Sequence, residues 1–158
     1  MERVAIFVDV QNIYYTVKSC YRCHFDYTAF WTQVTANREV VYAYAYAIDR
    51  GDQKQMDFQR ILKNIGFKIK LKPFIERSDG SSKGDWDIGI TIDILDSVKD
   101  VDTIVLASGD GDFTILLEKI HNDFGIPTEV YGVSTLTANS LKNAAQKYIP
   151  IEGHLLKK

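Results

Sequence analysis

The sequence predicts an α/β fold: a central, mainly parallel sheet of about five strands with helices on both faces. Three observations lead there. Short, continuously apolar runs, RVAIFVD at 3–9 and TIVLAS at 103–108, recur between longer segments of helical period. Runs of that kind are strands buried on both faces. Strand and helix then alternate along the chain, which implies parallel pairing through right-handed crossovers. Size agrees, because 158 residues with 46% hydrophobic and 25% charged content suit a single soluble domain over 1–158.

The first strand, 3–9, is too short and too apolar to be a helix. NIYYTVKSCY (12–21) and YTAFWTQVT (27–35) read as two short helices. EVVYAYAYAI (39–48) alternates Tyr42, Tyr44 and Tyr46 with small residues, as a strand covered on both faces does. DQKQMDFQRILKNIG (52–66) is a helix with Met56, Ile61, Leu62 and Ile65 as its expected apolar stripe and Gly66 as its stop. FKIKLKPF (67–74) alternates strictly and ends on proline, which marks an edge strand. A loop-like stretch, RSDGSSKGD (77–85), leads into a helix at 86–99 with Ile88, Ile92 and Leu95 as the expected inward positions. After strand 103–108 come a helix at 113–125, a strand at 127–133, a helix at 136–148 and a short last strand at 149–151.

Charge and cysteine content narrow the function classes. A formal net charge of −2 gives no general affinity for nucleic acid, so any such surface must be a local patch. Five apolar residues before Asp9 are too few for a signal-peptide core or a membrane span, so the expectation is a cytoplasmic protein with no membrane partner. CYRCH at 20–24 has the outline of a haem-attachment or redox motif. It falls near the end of a helix rather than at the start of one, and no fourth zinc ligand has telling spacing. Cys20 and Cys23 therefore read as ordinary thiols.

The acids are more telling. Asp9 ends the first strand, and SGDGDF places Asp110 and Asp112 just past strand 103–108. With strand order 3-2-1-4-5, those two strands are central neighbours, and their carboxyl ends form the switch point where ligands bind in such sheets. Asp87 opens a helix after the loop, and Asp93 lies about 120° further around that helix. Two carboxylates ~5 Å apart repel by roughly 3 kcal/mol at an effective dielectric of ~20. A hard cation, Mg²⁺ or Mn²⁺, removes that repulsion and takes carboxylate and water oxygens readily. Asn12, one turn past Asp9, adds an amide for a phosphate oxygen or a helix cap. Glycine-rich phosphate loops are absent.

FVDVQN (7–12), KGDWDIGITID (83–93) and LASGDGDF (106–113) resemble, in order and spacing, the signature segments of the NYN-domain family, and within it the LabA-like subgroup. The family comprises PIN-like, metal-dependent ribonucleases. EVYGV (129–133) and ANSLKNAAQKYIPI (138–151) also fit, so the resemblance spans nearly the whole chain. It implies a PIN-like, Rossmann-like three-layer sandwich. Its metal-binding acids fall on Asp9, Asp87, Asp110 and Asp112, its asparagine on Asn12 and its second helix acid on Asp93, with Ser108 and Asp93 supporting the site from behind. One extra residue in KGDWD puts Asp85 in competition with Asp87, and Gln146 stands where an acid is usual.

The implied activity is phosphodiester hydrolysis of RNA, single-stranded by preference, with Mg²⁺ or Mn²⁺ as cofactor. Lys70, Lys72, Arg77 and Lys83 are candidate backbone contacts, although lysines on an edge strand also block unwanted pairing. Trp86 and Tyr14 are candidate stacking platforms, Trp86 as an exposed ring. A haloacid-dehalogenase-like phosphatase is disfavoured, because Gln11 replaces the second acid of its D-x-D. The alternative is a non-catalytic RNA- or protein-binding regulatory module that retains the metal site. A homo-oligomer stays open under either reading.

Overall fold

The computed structural model describes residues 1–73 and 85–158, together with the backbone of 75–76 and 82–83. The strands are β1 Glu2–Asp9, β2 His24–Phe25, β3 Arg38–Asp49, β4 Lys68–Pro73, β5 Ile75–Glu76, β6 Ser82–Lys83, β7 Thr103–Ala107, β8 Thr128–Gly132, β9 Lys147–Pro150 and β10 Leu156–Lys157. The helices are α1 Val10–Tyr21, α2 Tyr27–Thr35, α3 Gln53–Ile65, α4 Asp87–Ser97, α5 Thr114–Lys119 and α6 Asn139–Ala144. Among the described residues, no helix is long and apolar enough to cross a membrane.

One six-stranded sheet runs in the order β4-β3-β1-β7-β8-β9. All its pairings are parallel. The expected order is present, with β4 at one edge, and the short last strand expected at 149–151 forms the other edge as β9, beginning two residues earlier. That strand shortens the helix expected over 136–148, because Lys147–Pro150 pairs with Glu129–Gly132. The outer edge of β8 needs hydrogen-bond partners, and this requirement overrides a local pattern that suits a helix equally well. Two small antiparallel pairs, β2 with β10 and β5 with β6, complete the strands.

Period-two alternation along the central strand builds both halves of the core. Val4, Ile6 and Val8 face one cluster with Ile13, Phe30 and Leu62 from α1, α2 and α3. Ala5 and Phe7 face the other, with Ile90, Ile94, Leu117 and Leu141 from α4, α5 and α6. Strand β3 divides likewise: Ala43, Ala45 and Ala47 lie under α1–α3, and Tyr46 joins the α4 side. Tyr42 and Tyr44 pack against that second cluster.

Two helices sit in a different phase from the one expected. In α4 the inward residues are Ile90 and Ile94, while Ile88 and Ile92 are exposed. Isoleucines at 88, 90, 92 and 94 offer two apolar stripes, and burying 90 and 94 also turns Asp93 toward Tyr46. In α3, Leu62 is buried with Phe58 and Ile65 packed beside it, whereas Met56 and Ile61 stay exposed. Aspartates start three of the helices: the side chains of Asp9, Asp26 and Asp52 accept the N–H of Asn12, Ala29 and Gln55. The cap of α1 is thus Asp9 and not Asn12. Cys20 is exposed in α1 with its Sγ 3.7 Å from the Thr135 hydroxyl, and Cys23 is half-buried beyond the helix end.

The loop after β7 is pressed against the segment before α6. Ala138 donates to the Gly109 carbonyl at 3.1 Å. A Cβ at Gly109 would meet the Leu136 carbonyl oxygen at 2.8 Å and the Thr137 Cα at 3.2 Å. Both atoms belong to backbone, so they yield only if the segments part. Gly109→Ala is therefore expected to destabilise the protein by about 1–3 kcal/mol, as overpacking does, read from urea denaturation midpoints. An unchanged midpoint would show the two segments to be loosely packed.

Candidate metal centre

The acids lie where the strand order reverses, between β1 and β7. Strand β1 passes through α1 to β3 on one side, and β7 passes through α5 to β8 on the other, so the carboxyl ends of β1 and β7 open a crevice. Asp87, Asp110 and Asp112 meet there, each offering a carboxylate oxygen within 4.8 Å of the others. Asp110 and Asp112 come from the turn after β7, Asp87 from the first residue of α4. The Asp110 carboxylate is fixed by the Asp112 N–H at 2.9 Å. Asp85, the rival position, stays outside this triangle and accepts the Asp87 N–H at 3.3 Å, forming the turn that starts α4.

Asp9 sits apart from the triangle, 8% exposed. Its carboxylate accepts from Ser108 Oγ at 3.1 Å and from the Asn12 N–H at 3.5 Å. Ser108 in turn accepts the Asp110 N–H at 3.2 Å. The Asn12 side-chain oxygen accepts the Gly109 N–H at 2.9 Å. The asparagine amide thus ties the start of α1 to the acid-bearing loop.

Burial and acidic neighbours raise the proton affinity of Asp9 and Asp87. Burial pushes Asp9 up to about 6, against the lowering effect of its bonds to Ser108 and Asn12. Asp87 is pushed up to about 8, first by burial, then by proton sharing with Asp110 and by repulsion from Asp110, Asp85 and Asp9. The donor set is all carboxylate, with no thiol or imidazole among its members, so it fits a hard divalent cation.

Trp86 places Asp87. Its indole N–H donates to the Ala47 carbonyl at 2.9 Å, and its ring lies 5.3 Å from that of Tyr46. A Cβ at Gly89 would come within 2.5 Å of the Trp86 ring, so glycine leaves room for the indole against the first turn of α4. The exposed stacking ring expected here is instead half-buried, because an indole N–H at the sheet end finds a carbonyl partner. Gly89 escaped the sequence reading, where a lone helical glycine has no distinctive pattern.

Asp93 does not touch the acids. It accepts from Tyr46 Oη at 2.7 Å and Lys70 Nζ at 2.6 Å. It reaches the centre only through the contact of Tyr46 with Trp86. Lys70 also lies 4.5 Å over the Tyr44 ring, and Lys72 lies 4.5 Å over Trp86 while donating to the Asp85 carbonyl. The two lysines thus brace aromatic rings. Arg77 and the Lys83 side chain lie outside the described residues.

A model of the NYN domain matches residues 3–152. The chain belongs to the NYN domain family. Its relatives include the low amplitude and bright protein LabA of Synechococcus elongatus, 34% identical over 160 aligned positions that take in 94% of this chain and 83% of that protein. A crystal structure of a Vibrio parahaemolyticus protein of unknown function is 48% identical, with a TM-score of 0.94 and coverage of 99% of this chain and 96% of its own.

The raised acids give this NYN domain a signed pH dependence when no cation competes. A carboxyl whose folded pKa lies above its ordinary 3.8 stabilises the fold below that ordinary value. The contribution is lost as pH rises through about 6 for Asp9 and about 8 for Asp87. In chelator, urea midpoints are expected to fall from about pH 5 to about pH 9. Asp87→Asn should flatten the upper part of that fall. A parent curve flat over the range would mean the acids are not crowded.

Proposed function

We propose that this NYN domain is a metal-dependent ribonuclease that hydrolyses RNA phosphodiester bonds. The observation that carries the reading is the convergence of Asp87, Asp110 and Asp112 at the switch point of a parallel sheet. Asp87, Asp110 and Asp112 hold Mg²⁺ or Mn²⁺, with Asp9 as the fourth carboxylate behind them. The cation supplies charge compensation for the scissile phosphate and acidifies the attacking water.

The chain's own residues do the positioning. Ser108 and Asn12 hold the loop and the start of α1 in register, which fixes the backbone from which Asp110 and Asp112 are presented. Trp86 fixes α4 against the end of β3 and sets where Asp87 stands. Burial and acidic neighbours raise Asp87, so a proton and a cation would compete for its oxygens.

Incubation with a pool of labelled single-stranded RNAs is expected to give cleavage with Mg²⁺ or Mn²⁺, none in chelator and none with Asp110→Asn. Mn²⁺ at a hundredfold excess over its Kd should stabilise the parent by about 2.7 kcal/mol, and Asp110→Asn should lose most of that. A melting temperature indifferent to Mn²⁺, with no RNA cut, overturns the reading. RNA binding that ignores chelator, again without cleavage, would instead make the domain a binding module.

A further inference from the structure

Among the described residues, the acid cluster presents carboxylates for a cation and phosphate but no free aromatic face for a base. Trp86 is committed to the Ala47 carbonyl, and Lys70 to Asp93. Aromatic surface remains on the other side of the crevice, along α1. Tyr14 and Tyr15 are 44% and 53% exposed, while Val10, Ile13 and Val17 of the same helix face the core. The two tyrosine rings stand edge to face, 5.5 Å apart at 78°.

These tyrosines line a groove of about 430 Å³ between α1 and the start of α3, at the carboxyl end of β3. Its volume lies within the ~300–1,000 Å³ of small-ligand sites. Val10 and Gln11 form its near end, next in the chain to Asp9, and its Ala47 and Ile48 lie just past Tyr46, the register partner of Asp9, so the groove starts beside the strand end that carries this acid. Lys54 and Arg50 supply cationic groups in its wall. Among the described residues the groove has one wall carboxylate, Asp52, which caps α3 by accepting the Gln55 N–H at 2.7 Å. On the far side, His24 lies nearly parallel to Tyr14 at 6.4 Å, and Lys18 donates to the Tyr14 hydroxyl at 3.1 Å.

We propose that this groove binds an unpaired nucleotide of single-stranded RNA flanking the scissile phosphate, its base against Tyr14 or Tyr15 and a phosphate toward Lys54. The proposal rests on the ribonuclease reading of the acid centre. Aromatic faces beside cations are the means by which proteins hold single strands without reading sequence. A base paired in a duplex has no free face to offer, so the groove discriminates against double-stranded RNA.

The test measures binding of a short fluorescent oligoribonucleotide in Ca²⁺, whose looser geometry should allow binding with little cleavage. Tyr14→Ala with Tyr15→Ala is expected to weaken binding ~5- to 150-fold, the range for loss of one stacked base, with an unchanged circular dichroism spectrum. Tyr14→Phe with Tyr15→Phe should keep nearly all of the affinity. Lys54→Ala should reduce the salt slope by roughly one. Photocrosslinking of the same strand carrying 4-thiouridine should map to Tyr14 or Tyr15. In Mg²⁺ the alanine pair should raise KM and leave kcat near the parent value.

Failures separate cleanly. If the alanine pair binds and cleaves as the parent does, the groove assignment falls and the ribonuclease reading stands. If the parent binds and crosslinks at the tyrosines but never cleaves, the groove stands as an RNA site and the ribonuclease reading falls. If the parent neither binds nor cleaves with any cation, both fall. If the alanine pair only dissolves a dimer, the groove joins copies of the chain and the proposal is overturned.

Discussion

A buried carboxyl joins the two central strands, and the rest of the centre hangs from it. Asp9, at the end of β1, is bonded to Ser108, which follows β7, and at the same time caps α1. Ser108 passes the constraint on by accepting the Asp110 N–H, and Asn12 doubles it by accepting the Gly109 N–H. Parallel pairing brings the strand ends side by side, but it does not orient the loops beyond them. The Asp9–Ser108–Asp110 chain orients them. Burial raises Asp9, so near neutrality its proton is set by the same network that positions the loop.

The second anchor is mechanical. Asp87 arrives from a helix that crosses the opposite face of the sheet, after a long connection, and nothing in strand pairing determines where its first turn lies. Trp86 settles this by bonding to the end of β3, and Gly89 lets the ring lie flat on the helix. Tyr46, Asp93 and Lys70 brace the same corner from beneath with an ion pair at 2.6 Å. A half-buried pair of this kind gives uncertain stability, since desolvation offsets attraction, but its geometry is specific. Asp93 therefore serves the centre at one remove, through the indole.

The features legible in sequence were those written locally. Apolar runs marked β1 and β7, tyrosine alternation marked β3, lysine alternation marked β4 as an edge, and Asp-Gly turns after an apolar run marked the acid loop. Helix phase was harder to read. Isoleucine at 88, 90, 92 and 94 satisfies two stripes, and only the partners of Asp93 and Trp86 choose between them. Strand β9 begins two residues earlier than its sequence suggests, because a four-residue segment carries no periodicity to separate it from the helix before it, and its pairing with β8 sets its start. Trp86 beside an acid suggests a platform for bases, since the sequence does not show the Ala47 carbonyl within reach of its indole.

These anchors explain how a fold can carry carboxylates that repel one another. Each acid is fixed by a different part of the structure: Asp9 by the strand junction, Asp110 by its own turn, Asp87 by the indole lock on α4. No single local rearrangement spreads the cluster, so the repulsion is relieved by protons or by a cation. Protonation is the weaker remedy, because one proton on Asp87 removes one charge and leaves its acidic neighbours facing each other. A divalent ion neutralises two carboxylates at once and needs oxygens close together, which is the arrangement the anchors impose. Asp87 and Asp110 thus stand close to Asp112 because separate parts of the fold hold them, an arrangement at odds with their mutual repulsion in the free protein and suited to a divalent ion.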